Sequence, residues 1–161
     1  MKNTFAAIAL ACGLSLAATW SSTQDKRPDY VPSDAATHNG KYYKFFKAKY
    51  SWREAEKKCE EMKGVLVSIK NKETHQFLLA LSKGKCFWAG ASDARTEGVW
   101  LWRDGSKITY SDWAKDEPDD WKGKEDCLVI GWPGKRYENG KWADTNYKYR
   151  KQIDGYICEW K

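Results

Sequence analysis

Glu117-Pro118-Asp119-Asp120-Trp121-Lys122-Gly123-Lys124-Glu125-Asp126-Cys127 is the stretch that decides how this chain is read. The formal net charge is +6, yet carboxylates crowd together here and Asp144 follows shortly after. Carboxylates packed this closely repel one another unless a cation neutralises them, and a hard divalent ion such as Ca²⁺ takes about six to eight oxygen ligands. An ordinary acidic run is a solvated loop. This one is interrupted by Pro118, which stiffens the backbone, and by Trp121, a large ring for an open loop. It then passes directly into Cys127-Leu128-Val129-Ile130, an apolar run of buried-strand type. A rigid acidic loop anchored on a strand suits a calcium cage.

Upstream, Tyr42 to Phe46 is a β-leaning aromatic run. Ser51 and Glu54 have capping-box spacing ahead of Trp52, Ala55, Cys59 and Met62 on one face, and Gly64 stops the segment, which predicts a helix over 51–62. Val65 to Ile69 reads as a short strand, and Asn71 caps a second helix with apolar residues Phe77 to Leu81 and a stop at Gly84. Further β segments are expected at Phe87-Trp88-Ala89-Gly90, Val99 to Trp102, Ile108 to Tyr110, Leu128 to Trp132 and Tyr156 to Trp160. Strands and helices in separate runs predict an α+β domain.

At 161 residues the chain is one domain with an appendage. Lys2 and the apolar run Phe5 to Ala18 have the charge and length of a secretory signal peptide over residues 1–18, too short for a membrane anchor. Residues 19–40 are polar, carry Pro28 and Pro32 and read as a spacer, leaving 41–161 as the folded unit. An extracellular location follows, with no membrane insertion. Without Cys12, the even set Cys59, Cys86, Cys127 and Cys158 fits an oxidising compartment, and four cysteines allow three pairings. Catalysis has little support: of the two histidines, His38 falls in the spacer and His75 in the second helix, neither beside a nucleophile in sequence. No nucleic-acid motif accompanies the basic residues Lys148, Arg150 and Lys151. They favour attraction to acidic glycans or serve solubility alone.

Taken together, the chain from about Lys41 to Lys161 resembles the C-type lectin domain family. The resemblance rests on the first helix with its cysteine, Phe87-Trp88-Ala89-Gly90 in place of the family's Trp-Ile-Gly-Leu, Glu117-Pro118-Asp119, Glu125-Asp126-Cys127, Trp142-Ala143-Asp144 and Cys158-Glu159. It implies a C-type lectin-like fold of two helices, small antiparallel sheets and a long calcium-binding loop region, in the short form of the domain. It also implies a Cys59–Cys158 disulfide, which closes a loop of about 100 residues and contributes roughly 4.7 kcal/mol by chain entropy. Carried over by position, an auxiliary calcium site falls on Asp93, Glu97, Asp120 and Asp126 with the Glu125 carbonyl. The principal, sugar-bearing site falls on Glu117, Asp119, Glu125 and Asp144, with Trp121 placed to stack on a sugar ring as in galactose-type members.

Two departures matter. Family members similar to mannose binders carry Glu-Pro-Asn and those similar to galactose binders Gln-Pro-Asp, and the triplet is normally Trp-Asn-Asp. Here Asp119 and Ala143 leave four carboxylates and no side-chain amide, so two hydrogen bonds to a sugar, worth about 0.5 to 1.5 kcal/mol each, lose their donors. Asn146, Lys122 and Lys124 are the candidates nearby in sequence for a substitute donor. The family's partner for Cys127 is replaced by Tyr147, and Cys86, the remaining candidate, opens its strand as Cys127 opens the next, so if the two strands run antiparallel the sulfurs lie too far apart to bridge, which leaves a free thiol or an intermolecular bridge that makes a dimer. The expected function is a secreted, calcium-dependent carbohydrate-binding protein for cell-surface or microbial glycans, galactose-type slightly favoured over mannose-type. The rival is a domain of this fold that uses calcium only structurally and binds protein, mineral or ice.

Overall fold

The computed structural model describes residues 27–161. The leader expected over 1–18 and the first part of the expected spacer lie outside the described residues. The strands β1 (Ala36–His38), β2 (Lys41–Lys47), β3 (Val65–Leu66), β4 (Phe87–Ser92), β5 (Leu101–Trp102), β6 (Cys127–Ile130), β7 (Trp142–Thr145) and β8 (Gly155–Trp160) alternate with helices α1 (Trp52–Glu61) and α2 (Lys72–Ser82) and a 3₁₀ segment, Lys135–Gly140. They form one sheet in the order β1-β2-β8-β4-β6-β7, with β3 paired to β8 and β5 to β4. The β4 to β8 pairing is parallel and the rest are antiparallel.

β4, β6, β7 and β8 are buried along almost their whole length because both faces of the sheet are covered. Trp88, Val129, Ala143 and Cys158 turn to one side and pack with Trp52, Ala55 and Cys59 of α1. Phe87, Leu128, Ile130, Trp142 and Ile157 turn to the other and pack with Leu78 of α2. The alternation is the period-2 pleat. Both helices begin where their caps predict: the Ser51 side chain accepts from the Glu54 amide while Glu54 bonds back to Ser51, and Asn71 accepts from the Thr74 amide at 2.8 Å. Gly90 has no side chain because a Cβ there would lie 2.4 Å from the Leu66 carbonyl oxygen. No helix among the described residues is long and apolar enough to cross a membrane.

The folded unit begins earlier than Lys41, which corrects the spacer boundary. Val31 and Ala35 are buried in the α1-side core, and β1 pairs with β2, Ala36 lying opposite Tyr43. Arg27 ties the preceding turn by donating to the Pro32 and Ser33 carbonyls. Two small apolar residues create no hydrophobic period, and an edge strand held by backbone bonds needs none. His38 consequently lies in β1, stacked on Phe77 of α2 at 4.3 Å. The Val65 strand ends at Leu66, and Ile108 to Tyr110 forms no strand, being held by the Trp100 carbonyl and by packing against the α2-side core.

The four cysteines among the described residues, Cys59, Cys86, Cys127 and Cys158, are buried thiols. Cys59 and Cys158 are hydrogen-bonded neighbours, and burial, with that contact, pushes the Cys59 thiol up. In the antiparallel β4–β6 ladder Ser92 faces Cys127 and Phe87 faces Ile130, so Cys86 stands roughly 17 Å from Cys127 along the strand direction, beyond bridging reach.

Candidate functional site

The acidic loop leaves the sheet at one end of β7 and returns at the start of β6. Its base is clamped to the sheet: the Trp142 amide donates to the Asp112 carbonyl, the Ala114 amide to the Trp142 carbonyl and the Glu117 amide to the Ala114 carbonyl. Beyond the cis Glu117–Pro118 bond, Asp120, Lys122 and Gly123 all adopt positive φ. Such backbone suits Gly, and Asp tolerates it through local hydrogen bonding.

Asp144, buried on β7, fixes the crest of the loop by accepting from the Asp119 amide at 3.1 Å and the Asp120 amide at 2.8 Å. Asp120 Oδ1 accepts from the Glu125 amide at 3.0 Å, and Glu125 Oε2 from the Trp121 amide at 3.3 Å. The acids thus order the loop as well as charge it.

Two carboxylate trios result, each able to bring its oxygens within 4.8 Å of one another: Glu117, Asp119 and Asp144, and Asp93, Glu97 and Asp126. Glu125 adjoins the first, close enough to Asp119 and Asp144 to feel both. Asp120 of the expected auxiliary set lies outside both trios, with one carboxylate oxygen committed to the Glu125 amide. Burial, reinforced by the Asp144 charge, pushes the Glu125 carboxyl up to about 7. Burial likewise raises Asp144, and raises Asp93 to about 6 against the Gly98 amide that donates to it. Negative charge is therefore under strain at both trios, and each holds a buried carboxylate oxygen with no hydrogen-bond partner, Glu117 Oε2 in the first and Asp93 Oδ1 in the second. Buried charge of this kind needs a partner, and all-oxygen donor sets of this density fit Ca²⁺.

Beside the first trio is a cleft of about 250 Å³ lined by Trp121, Trp132, Arg136, Tyr137, Ala143 and Thr145 together with the acids. It is smaller than the roughly 300 to 1,000 Å³ of pockets that engulf a ligand, so its occupant rests on it. Trp121 is 61% exposed, its ring turned to solvent and capped by the Lys122 ammonium at 4.1 Å; it does not pack the loop onto the domain. Of the other expected donors, Asn146 gives its amide to the Lys124 carbonyl at 2.9 Å.

Arg136 and Tyr137, absent from the sequence expectation, both donate to Glu117 Oε1, and the guanidinium lies 3.7 Å from Asp119. They ride on the 3₁₀ segment between Gly134 and Gly140. Gly140 is forced by φ +75° and by Leu79, which a Cβ would overlap. The flanking glycines were the only sequence signal for this wall.

A larger cleft of about 480 Å³ lies near β3 and β8, and three of the five cations that line it are already paired, Lys41 with Glu159, Lys70 with Asp104 and Arg103 with Glu56. His75 is buried at 2% exposure, between the Tyr110 hydroxyl and the Gly140 carbonyl, and burial lowers its pKa. It is a structural histidine.

The family model described as "Lectin C-type domain" matches residues 48–160. The chain belongs to the C-type lectin domain family. This lectin domain is 32% identical to mouse C-type lectin domain family 4 member F over 116 residues, 67% of the chain but 21% of that protein. It is 30% identical to the galactose-specific lectin nattectin of Thalassophryne nattereri over 135 residues, 81% of the chain and 83% of nattectin. Among solved structures, the mouse scavenger receptor C-type lectin carbohydrate-recognition domain matches with TM-score 0.69 at 30% identity, covering 80% of this chain and 94% of that one. Herring type II antifreeze protein matches with TM-score 0.70 at 25% identity, covering 80% and 96%. The domain therefore shares its fold with proteins named for carbohydrate recognition and with one named as an antifreeze protein.

Proposed function

We propose that the chain is a secreted, calcium-dependent carbohydrate-binding protein that recognises glycans at cell or microbial surfaces, with galactose-type sugars favoured over mannose-type. The observation that carries this reading is the exposed Trp121 ring beside the Glu117, Asp119 and Asp144 trio, whose buried Glu117 Oε2 has no partner. Glu117, Asp119, Glu125 and Asp144 would hold Ca²⁺ there, and Asp93, Glu97 and Asp126 a second ion. Bound Ca²⁺ supplies open coordination positions for two vicinal sugar hydroxyls. The carboxylates accept the protons of those hydroxyls, and Trp121 offers its face to the apolar side of the ring. Cys59 and Cys158, already in contact, close as a disulfide in the oxidising exterior.

The kinship with nattectin supports the galactose preference. The rival, calcium for loop rigidity alone and a protein, mineral or ice surface as ligand, is favoured by one observation: Asp119 and Ala143 supply no amide. Retention on galactose resin in calcium, with elution by chelator and by free galactose ahead of mannose, is the expected result. Flow-through on galactose and mannose resins alike, with calcium present, favours the rival.

A further inference from the structure

We infer that Arg136 is the specificity-determining residue of this cleft and that it selects saccharides bearing a carboxylate or sulfate beside the coordinating hydroxyls. The inference rests on the lectin reading above and adds the ligand's chemical class.

Every other candidate for the missing donor is spoken for or differently placed. Asn146 serves the Lys124 carbonyl, Lys122 caps the Trp121 ring, and Lys124 is not among the residues that line the cleft. Arg136 is the one cation among the described residues that line the cleft, on the wall beside Trp132 and Ala143, and its side chain is 42% exposed. Its guanidinium rests on Glu117 and near Asp119, the two acids contributed by the tripeptide. When those carboxylates turn to a divalent cation, the guanidinium loses its acidic partners and is repelled by the new charge. Its backbone stays on the cleft wall, where Gly140 at the end of the 3₁₀ segment packs against Leu79 too closely to admit a Cβ, so the guanidinium remains within side-chain reach of the cleft.

What remains is a planar fork of N–H donors at the rim of a sugar-sized cleft. A hydroxyl satisfies one of those donors, whereas a carboxylate or sulfate matches the fork with two parallel charge-assisted bonds. Charge balance agrees. Asp119 places a fourth carboxylate where the tripeptides named above always leave one amide, and the Arg136 charge offsets that extra acid, so an anionic sugar meets no added repulsion.

The test measures binding of galactose, 3-O-sulfated galactose and galacturonic acid to the full chain in saturating calcium, for the native protein, Arg136→Ala and Arg136→Lys. The native protein is expected to prefer at least one anionic sugar over galactose by about tenfold, the two anionic arms separating sulfate from carboxylate. Arg136→Ala should lose that preference, the anionic sugars falling to about the level of galactose in the same variant, and Arg136→Lys should keep part of it, having charge without the fork. Calcium affinity without sugar should rise in Arg136→Ala, since a competing tethered cation is gone. A native protein that binds galactose without the preference, or an Arg136→Ala variant that keeps it, overturns the inference and leaves the lectin reading intact. A native protein that binds none of the three sugars overturns both.

Discussion

Glu125 is the residue at which the energetics of the site are most visible. Its carboxyl is held up at about 7 by burial and by Asp144, so near neutrality a proton competes with any cation for that oxygen pair. A cation needs the ionised form, so its affinity is complete above pH 7 and declines as pH falls through 7. Between pH 8 and pH 6 calcium binding at this trio should weaken by about tenfold, with release of a proton on binding. Calcium titrations in two buffers of different ionisation enthalpy at each pH check this. An affinity flat across that range would place Glu125 outside the ligand set. At this scale the acids were legible because crowding carboxylates in a basic chain has few other uses. Arg136 was not legible, since nothing in sequence ties residue 136 to residue 117. Only the folded path of the 3₁₀ segment does.

The elements follow local chemistry where that chemistry is strong. Ser51 with Glu54 and Asn71 mark both helix starts to the residue, and the apolar runs mark β4, β6 and β8. β1 and β7 escaped as strands for different reasons. β1 is an edge held by backbone pairing, and the Trp142-Ala143-Asp144-Thr145 strand mixes large, small and polar residues because it has both a core and a site to serve. One tight junction between elements is Gly90 of β4 against the Leu66 carbonyl. Because backbone blocks the added methyl, Gly90→Ala should destabilise the domain by about 1 to 3 kcal/mol, seen as a lower urea midpoint with unchanged slope. An unchanged midpoint would mean that β3 yields without loss.

For the whole molecule, one sheet clad by α1 on one face and α2 on the other leaves its loop end free for binding. The resemblance to the C-type lectin domain made that architecture readable. The departures fall in the acidic loop at Asp119, on β7 at Ala143 and just past β7 at Tyr147, while the two-faced core keeps its apolar pattern. The acids that crowd the loop are also its internal hydrogen-bond acceptors, Asp144 above all, so the loop's order and its ion binding are one property. The most direct measurement is calorimetric titration of Ca²⁺ into chelator-stripped protein, for the native chain and Asp144→Ala, with and without galactose. The account predicts calcium heat that shrinks in the variant and native calcium affinity that rises when galactose is present. Calcium binding indifferent to both the substitution and the sugar would contradict it and leave only the Asp93, Glu97 and Asp126 trio as a structural ion site.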